Sequence, residues 1–179
     1  MKLYYIILFL TFIISHNSYS SEKRFKVHTL AFYNLENLFD TINDTSKRDE
    51  ASPIMEMKYN RSEVYNKKIK NLSKVISGIG FEETKTLPTI VGLCEVENKN
   101  VVEDLINSDL LKNANYGISH FDSPDERGID VALIYRKNMF KVLNENSAYL
   151  ELKYASGKIN YTRDQLVVEG VLENEKIYT

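Results

Sequence analysis

Thr89-Ile90-Val91-Gly92-Leu93-Cys94-Glu95-Val96-Glu97-Asn98 is the stretch whose reading decides the fold. It follows Pro88, and its run from Ile90 to Cys94 is short, continuous and apolar. That pattern predicts a strand covered on both faces, as in a sheet flanked by other layers. Glu95 closes the run, so its carboxylate is held at the rim of a buried strand. A charge placed there costs free energy unless it is paired or binds a cation. Two readings stay open on the residues alone. One is a hard cation such as Mg²⁺, which takes one or two carboxylates plus water and substrate phosphate. The other is a salt bridge to one of the many lysines. Glu97 would share a strand face with Glu95 if the strand continued, but it reads better as the helix entry and its solvated edge. Cys94 is the single cysteine, which excludes an intrachain disulfide and leaves a small buried hydrophobe beside the acid.

Upstream, Phe25 to Asn34 (FKVHTLAFYN) is apolar and β-branched enough for a buried strand. Asn34 and Glu36 stand at its exit, in FYNLENLFD, where such residues are turn and surface residues more often than ligands. Residues 41–61 are polar, charged and interrupted by Pro53, which reads as a surface loop. Ser62 then introduces a helix. Tyr65, Ile69, Leu72, Ile76 and Ile79 recur at spacings of four, three, four and three, one helical face. Lys67, Lys68, Lys70 and Lys74 take the remaining, solvated faces, and Gly78 and Gly80 supply the stop.

Downstream, Asn98 or Asn100 can cap a second helix carrying Val101, Val102, Leu105 and Ile106. Strands are predicted at 116–121, 129–136, 140–143 and 164–172, and Asn174-Glu175 can turn the chain into a further strand at Lys176. Strand, helix, strand, helix, then several strands make a mixed α/β (α+β) sandwich.

At the start, Lys2 precedes twelve apolar residues, Leu3 to Ile14, with a small-residue exit at Ser18-Tyr19-Ser20. This predicts a signal peptide over residues 1–20 and export to the periplasm or beyond. The run is shorter than the roughly 20 residues a spanning helix needs, so no stable membrane anchor is expected. Removing those twenty of the 179 residues leaves 159, enough for one domain over residues 21–179. Loss of Lys2 takes the net charge from −2 to −3, which does not advertise a nucleic-acid coat. A nuclease is still compatible, because a bound metal and a few local cations can handle one phosphate.

Three further polar positions bear on chemistry. Asp130 interrupts the apolar strand GIDVALIYR, where it orients another polar group or pairs with Arg127 or Arg136; the arginine pairing is the simpler choice. Arg163, beside Asp164 at the start of DQLVVEGVL, could fork two hydrogen bonds onto a phosphate or pair with its neighbour. His28 lies in a strand and reads as a packed or edge histidine, whereas His120 precedes Asp122 and Asp125 in a loop where it could meet substrate.

Four segments together resemble the endonuclease/exonuclease/phosphatase superfamily, the deoxyribonuclease I-like fold. They are YNLENLFD at 33–40, GLCEVEN at 92–98, SPDERGIDVALIYR at 123–136 and TRDQLVVEGVL at 162–172. The resemblance implies a four-layer α/β sandwich and a metal-dependent phosphoester hydrolase acting on nucleic acid or another phosphodiester. It implies that Glu95 binds Mg²⁺ (or Mn²⁺/Ca²⁺), with Asn34 near the metal and phosphate. Arg163 would touch substrate phosphate, and Asp130 would orient a histidine. The family's later Asn-His pair, Asp-x-Asn motif and terminal Asp-His pair do not occur. The expectation is therefore an N-terminal half-domain, truncated before its second half, with weak or no activity alone. A lipid or small-molecule phosphatase, and a non-catalytic fragment that binds a partner or a complementary half, are the alternatives.

Overall fold

The computed structural model describes residues 26–173. The expected signal peptide, the first residue of the predicted opening strand and the turn and strand beyond residue 173 lie outside the described residues. The elements run β1 (Leu30–Leu38), α1 (Arg61–Gly78), α2 (Phe81–Thr84), β2 (Ile90–Val96), α3 (Lys99–Ile106), β3 (Tyr116–His120), β4 (Asp130–Arg136) and β5 (Phe140–Ala148). A small hairpin, β6 (Leu152–Lys153) and β7 (Ile159–Asn160), and then β8 (Gln165–Leu172) complete them.

Four strands form one sheet in the order β1-β2-β4-β3. β1 and β2 are parallel, and β4 is antiparallel to both its neighbours. A parallel pair needs a long crossover, which α1 supplies. The helix forms as its period predicts: Tyr65, Ile69, Leu72 and Ile76 are buried, and Ile79 falls at the cap in an extended conformation. Asn98 rather than Asn100 caps α3, its Oδ1 accepting from the Val101 N–H at 3.1 Å. Val101, Val102 and Leu105 are fully buried against Val91, Leu93 and Ile134 of the sheet. Each such side chain contributes about 1.5–3 kcal/mol relative to exposure, so this helix-covered face is the core.

The opposite face is covered less. β5 and β8 pair as a separate antiparallel ribbon, fixed to the sheet partly by an edge-to-face contact of Tyr135 and Phe140 at 5.8 Å. Between ribbon and sheet lies a cleft of about 530 Å³ lined by Phe32, Leu133, Phe140, Leu166 and Arg163 among others. β2 is thus packed on one face and half-buried on the other, a correction to the expected two-sided cover. Phe32 is 72% exposed and lies over Gly92, where a Cβ would meet the ring at 2.6 Å, so a larger residue there would displace Phe32.

Other boundaries also move. β1 begins at Leu30 and runs on to Leu38, through Asn34 and Glu36, because Leu35 and Leu38 still reach the core. β5 extends to Ala148, paired along its length with β8. The stretch 41–61 is not simply a surface loop: it holds a 3₁₀ turn at Asp49–Ala51 and buries Asp49, Ser52 and Ile54. Among the described residues no helix is long and apolar enough to cross a membrane.

Candidate active site

The parallel strands β1 and β2 both break register at the same end, between Asn34 and Leu38 and between Cys94 and Val96. Strict alternation would send Glu95 to the core face with Leu93. Instead Glu95 takes a left-handed backbone, φ 60°, and Val96 recovers the core face, fully buried. Glu36 and Asn37 do the same in β1, at φ 53° and 58°, so that Leu38 packs inside. An inserted residue re-aims a side chain at the cost of local pairing. Here two adjacent bulges carry the Glu95 carboxylate out of the core to the mouth of the sheet.

Its two oxygens are then fixed by β1. Asn34 Nδ2 donates to Glu95 Oε1 at 3.0 Å, and the Asn37 N–H donates to Oε2 at 2.9 Å. The Asn34 amide can face only one way. Its Oδ1 accepts from the Glu36 N–H at 2.7 Å, and the carboxylate requires a donor on the other side. No lysine or arginine bridges Glu95 among the described residues, so of the two readings left open by the sequence the salt bridge is not formed. Each Glu95 oxygen keeps a lone pair beyond its hydrogen bond. A single carboxylate at a solvent-reachable rim, with no nitrogen or sulfur donor, suits a hard cation that retains most of its waters.

Cations surround this carboxylate without neutralising it. Lys68, expected on a solvated face, turns inward and donates to the Glu36 and Asn37 carbonyls, the latter at 2.9 Å. Burial pushes its ammonium below the usual lysine value, against the pull of Glu36 and Glu95. Arg127 is forked onto Asp125 at 3.2 and 3.1 Å, and that hydrogen bond chiefly, helped by the charges of Asp125 and Glu95, raises its pKa. Arg163 makes no side-chain hydrogen bond or ion pair among the described residues, and it lines the apolar cleft. Its charge reaches Cys94, where burial raises the thiol pKa, Glu95 adds to the rise and Arg163 opposes it. Cys94 is half-buried on the open face, between those two charges, and not a core residue.

Asp130 does not join this group. Its carboxylate takes the Ser123 N–H at 2.9 Å and lies 3.2 Å from His120 Nε2, so the expected pairing with Arg127 or Arg136 is replaced by a histidine. The His120 side chain is 3% exposed, and the residue ends β3, inside the strand predicted over 116–121 and just before the loop that carries Asp122 and Asp125. Glu97 is likewise not a solvated edge. It is 8% exposed, accepts from the Asp40 N–H at 2.6 Å, and burial foremost, with Asp40, Asp49 and Asp44 adding, raises its pKa to about 7. Sequence reasoning missed Lys68 and Arg127 as neighbours of Glu95. The only signal was a lysine on the crossover helix between β1 and β2 and an arginine in the turn before β4.

A search of curated proteins finds no match to the chain. A sequence profile described as the Endonuclease/Exonuclease/phosphatase family matches residues 29–179, a span that takes in every strand and helix from β1 to β8. With Asn34 and Glu95 brought together from β1 and β2 inside that span, the chain belongs to the endonuclease/exonuclease/phosphatase family.

Proposed function

We propose that the chain is a phosphoester hydrolase that uses Mg²⁺, with Mn²⁺ or Ca²⁺ as substitutes, and acts on nucleic acid or a related phosphodiester. The observation that carries the reading is the Glu95 carboxylate, lifted out of the core by two bulges and gripped by Asn34 and Asn37. A divalent ion bound there would supply charge neutralisation at phosphorus and a more acidic water. Glu95 is the residue that would hold it, and Asn34 positions Glu95 through Nδ2 while leaving one lone pair of Oδ1 for a water or the ion. Arg163 and Arg127 present guanidinium groups near the same mouth, suited to fork onto phosphate oxygens. Asp130 acts on His120 and not on substrate, holding the ring in one orientation.

Neither His28, bonded to Thr89, nor His120 forms a hydrogen bond with Asn34, Glu95 or Arg163. Among the described residues no histidine is set to act as base at Glu95, and water attack without a positioned base loses on the order of 10²–10⁴ in rate. Leu30 and Phe32 remain exposed on the open sheet face, which suits a four-layer sandwich whose further strands come from a complementary half. Export by the N-terminal segment completes the reading: a secreted or periplasmic enzyme. A phosphodiester with an apolar portion is the second reading, favoured by the apolar cleft beside Arg163.

Magnesium titration and plasmid nicking by the purified chain, beside Glu95→Gln, test the proposal. The amide variant should bind Mg²⁺ at least tenfold more weakly and lose the Mg²⁺-dependent nicking. Equal Mg²⁺ affinity in the two proteins would refute it.

A further inference from the structure

On the other side of the bulge from Glu95 lies a pocket of about 310 Å³ lined by Asp44, Asp49, Glu97, Asp122 and Asp130, with Lys47 at one wall. Five carboxylates around one cavity repel one another, and such a cluster is usually relieved by cations. Here it is not. None of the five makes an ion pair with a lysine or arginine among the described residues. Lys47 spends its ammonium on the carbonyls of Ser123 and Asp125, at 2.9 and 3.2 Å.

Three of the five, Asp49, Glu97 and Asp130, are buried, while Asp44 and Asp122 are exposed at the rim. Asp49 is 1% exposed; its Oδ2 accepts from the Asp44 N–H at 2.7 Å, while its Oδ1 is buried without any partner. A buried carboxylate oxygen left bare costs free energy that native structures rarely tolerate. Glu97, also buried, uses only Oε2, toward the Asp40 N–H. At the rim, ligand atoms of His120, Asp122 and Asp130 lie within 4.8 Å of one another. His120 Nδ1 and Asp122 Oδ1 are 4.0 Å apart, too far for a hydrogen bond.

We propose that this pocket is a cation site separate from Glu95, taking a hard divalent ion of the calcium class between the Asp44–Asp49 loop and the adjoining ends of β2 and β4. The donor set is overwhelmingly carboxylate oxygen, and it sits partly on an irregular loop that can adjust to a large coordination shell. Ca²⁺ takes six to eight oxygens in flexible geometry, whereas Mg²⁺ demands a near-ideal octahedron. The bare Asp49 Oδ1 becomes a ligand, and the loop after β1 is tied to the end of the sheet that carries Glu95.

The test is calorimetric titration of the full chain with Ca²⁺ after chelation, for wild type, Glu95→Gln, Asp49→Asn and Glu97→Gln. Wild type and Glu95→Gln should share the pocket's Ca²⁺ isotherm at the same affinity, wild type alone adding a second event at Glu95, and Asp49→Asn and Glu97→Gln should show the pocket isotherm weakened at least tenfold. Ca²⁺ at a hundred times its Kd should raise Tm by about 5–10 °C in the first two proteins, and by much less in the others. Absence of Ca²⁺ binding in Glu95→Gln, or wild-type affinity in either pocket variant, overturns the site. So does a chelated Asp49→Asn that melts higher than a wild type indifferent to Ca²⁺, because the acids would then be relieved by sharing protons. Circular dichroism shows which variants fold, and either pocket variant suffices. Loss of Mg²⁺-dependent nicking in Glu95→Gln alone would leave this site untouched.

Discussion

Glu95 holds a left-handed backbone at φ 60°, and that conformation can be weighed by substitution. For a residue with a Cβ the left-handed region costs about 1–2 kcal/mol. Glu95→Ala keeps the penalty and removes the hydrogen bonds from Asn34 Nδ2 and the Asn37 N–H. Each bond is worth about 0.5–1.5 kcal/mol net, so the alanine variant should lie about 1–3 kcal/mol below wild type. Glu95→Gly loses the same bonds but releases the strain. Glycine's larger unfolded-state freedom, about 0.5–1 kcal/mol, offsets part of that gain. The glycine variant should therefore be about 0.5–1 kcal/mol more stable than the alanine one, a Tm difference of about 1–4 °C for a domain of this size. Differential scanning calorimetry in chelator measures it directly. If alanine melts at or above glycine, the backbone at position 95 is not left-handed in solution, and the bulge that aims the carboxylate is not there.

Two further outcomes follow from other parts of the structure. In chelator, Glu97 with its pKa raised from 4.5 to about 7 binds its proton more tightly folded than unfolded. Its contribution is thus fully present below about pH 4.5 and is lost as pH rises through about 7, at most about 3 kcal/mol. Urea melts from pH 4.5 to 8 should show wild type losing stability while Glu97→Gln stays nearly flat; parallel curves would remove the burial argument. Asn98→Ala should cost about 1 kcal/mol, or about 2–4 °C in Tm, by leaving the Val101 N–H uncapped, and an unchanged melt would show the cap to be idle.

The parts legible in the sequence are those where a periodic pattern meets a single environment. Tyr65, Ile69, Leu72 and Ile76 repeat at helical spacing because one face of α1 lies on the sheet throughout. Asn98 reads as a cap because its side chain acts three residues away, within the local pattern. The loop from Asp40 was illegible for the opposite reason. Asp49 is buried by partners far along the chain, and a charged residue in a polar stretch carries no local mark of that. Lys68 reads as solvated since three neighbouring lysines are, and only the backbone turn at Glu36 and Asn37 draws it inward.

Glu95 and Glu97 show most directly why alternation alone misleads here. Two residues apart on a regular strand, both would share one face and one environment. The extra residue at Glu95 breaks that equivalence: Val96 returns to the core, Glu95 swings toward Asn34, and Glu97 is carried under the loop to the Asp40 N–H. One carboxylate thereby becomes an exposed, hydrogen-bonded ligand candidate, and the other a buried acid among acids. Deleting the bulge by one residue would place both on the wrong face together. The strained backbone at Glu95 therefore separates two electrostatic sites that the sequence sets side by side, and both sites should fail in any variant that straightens the strand.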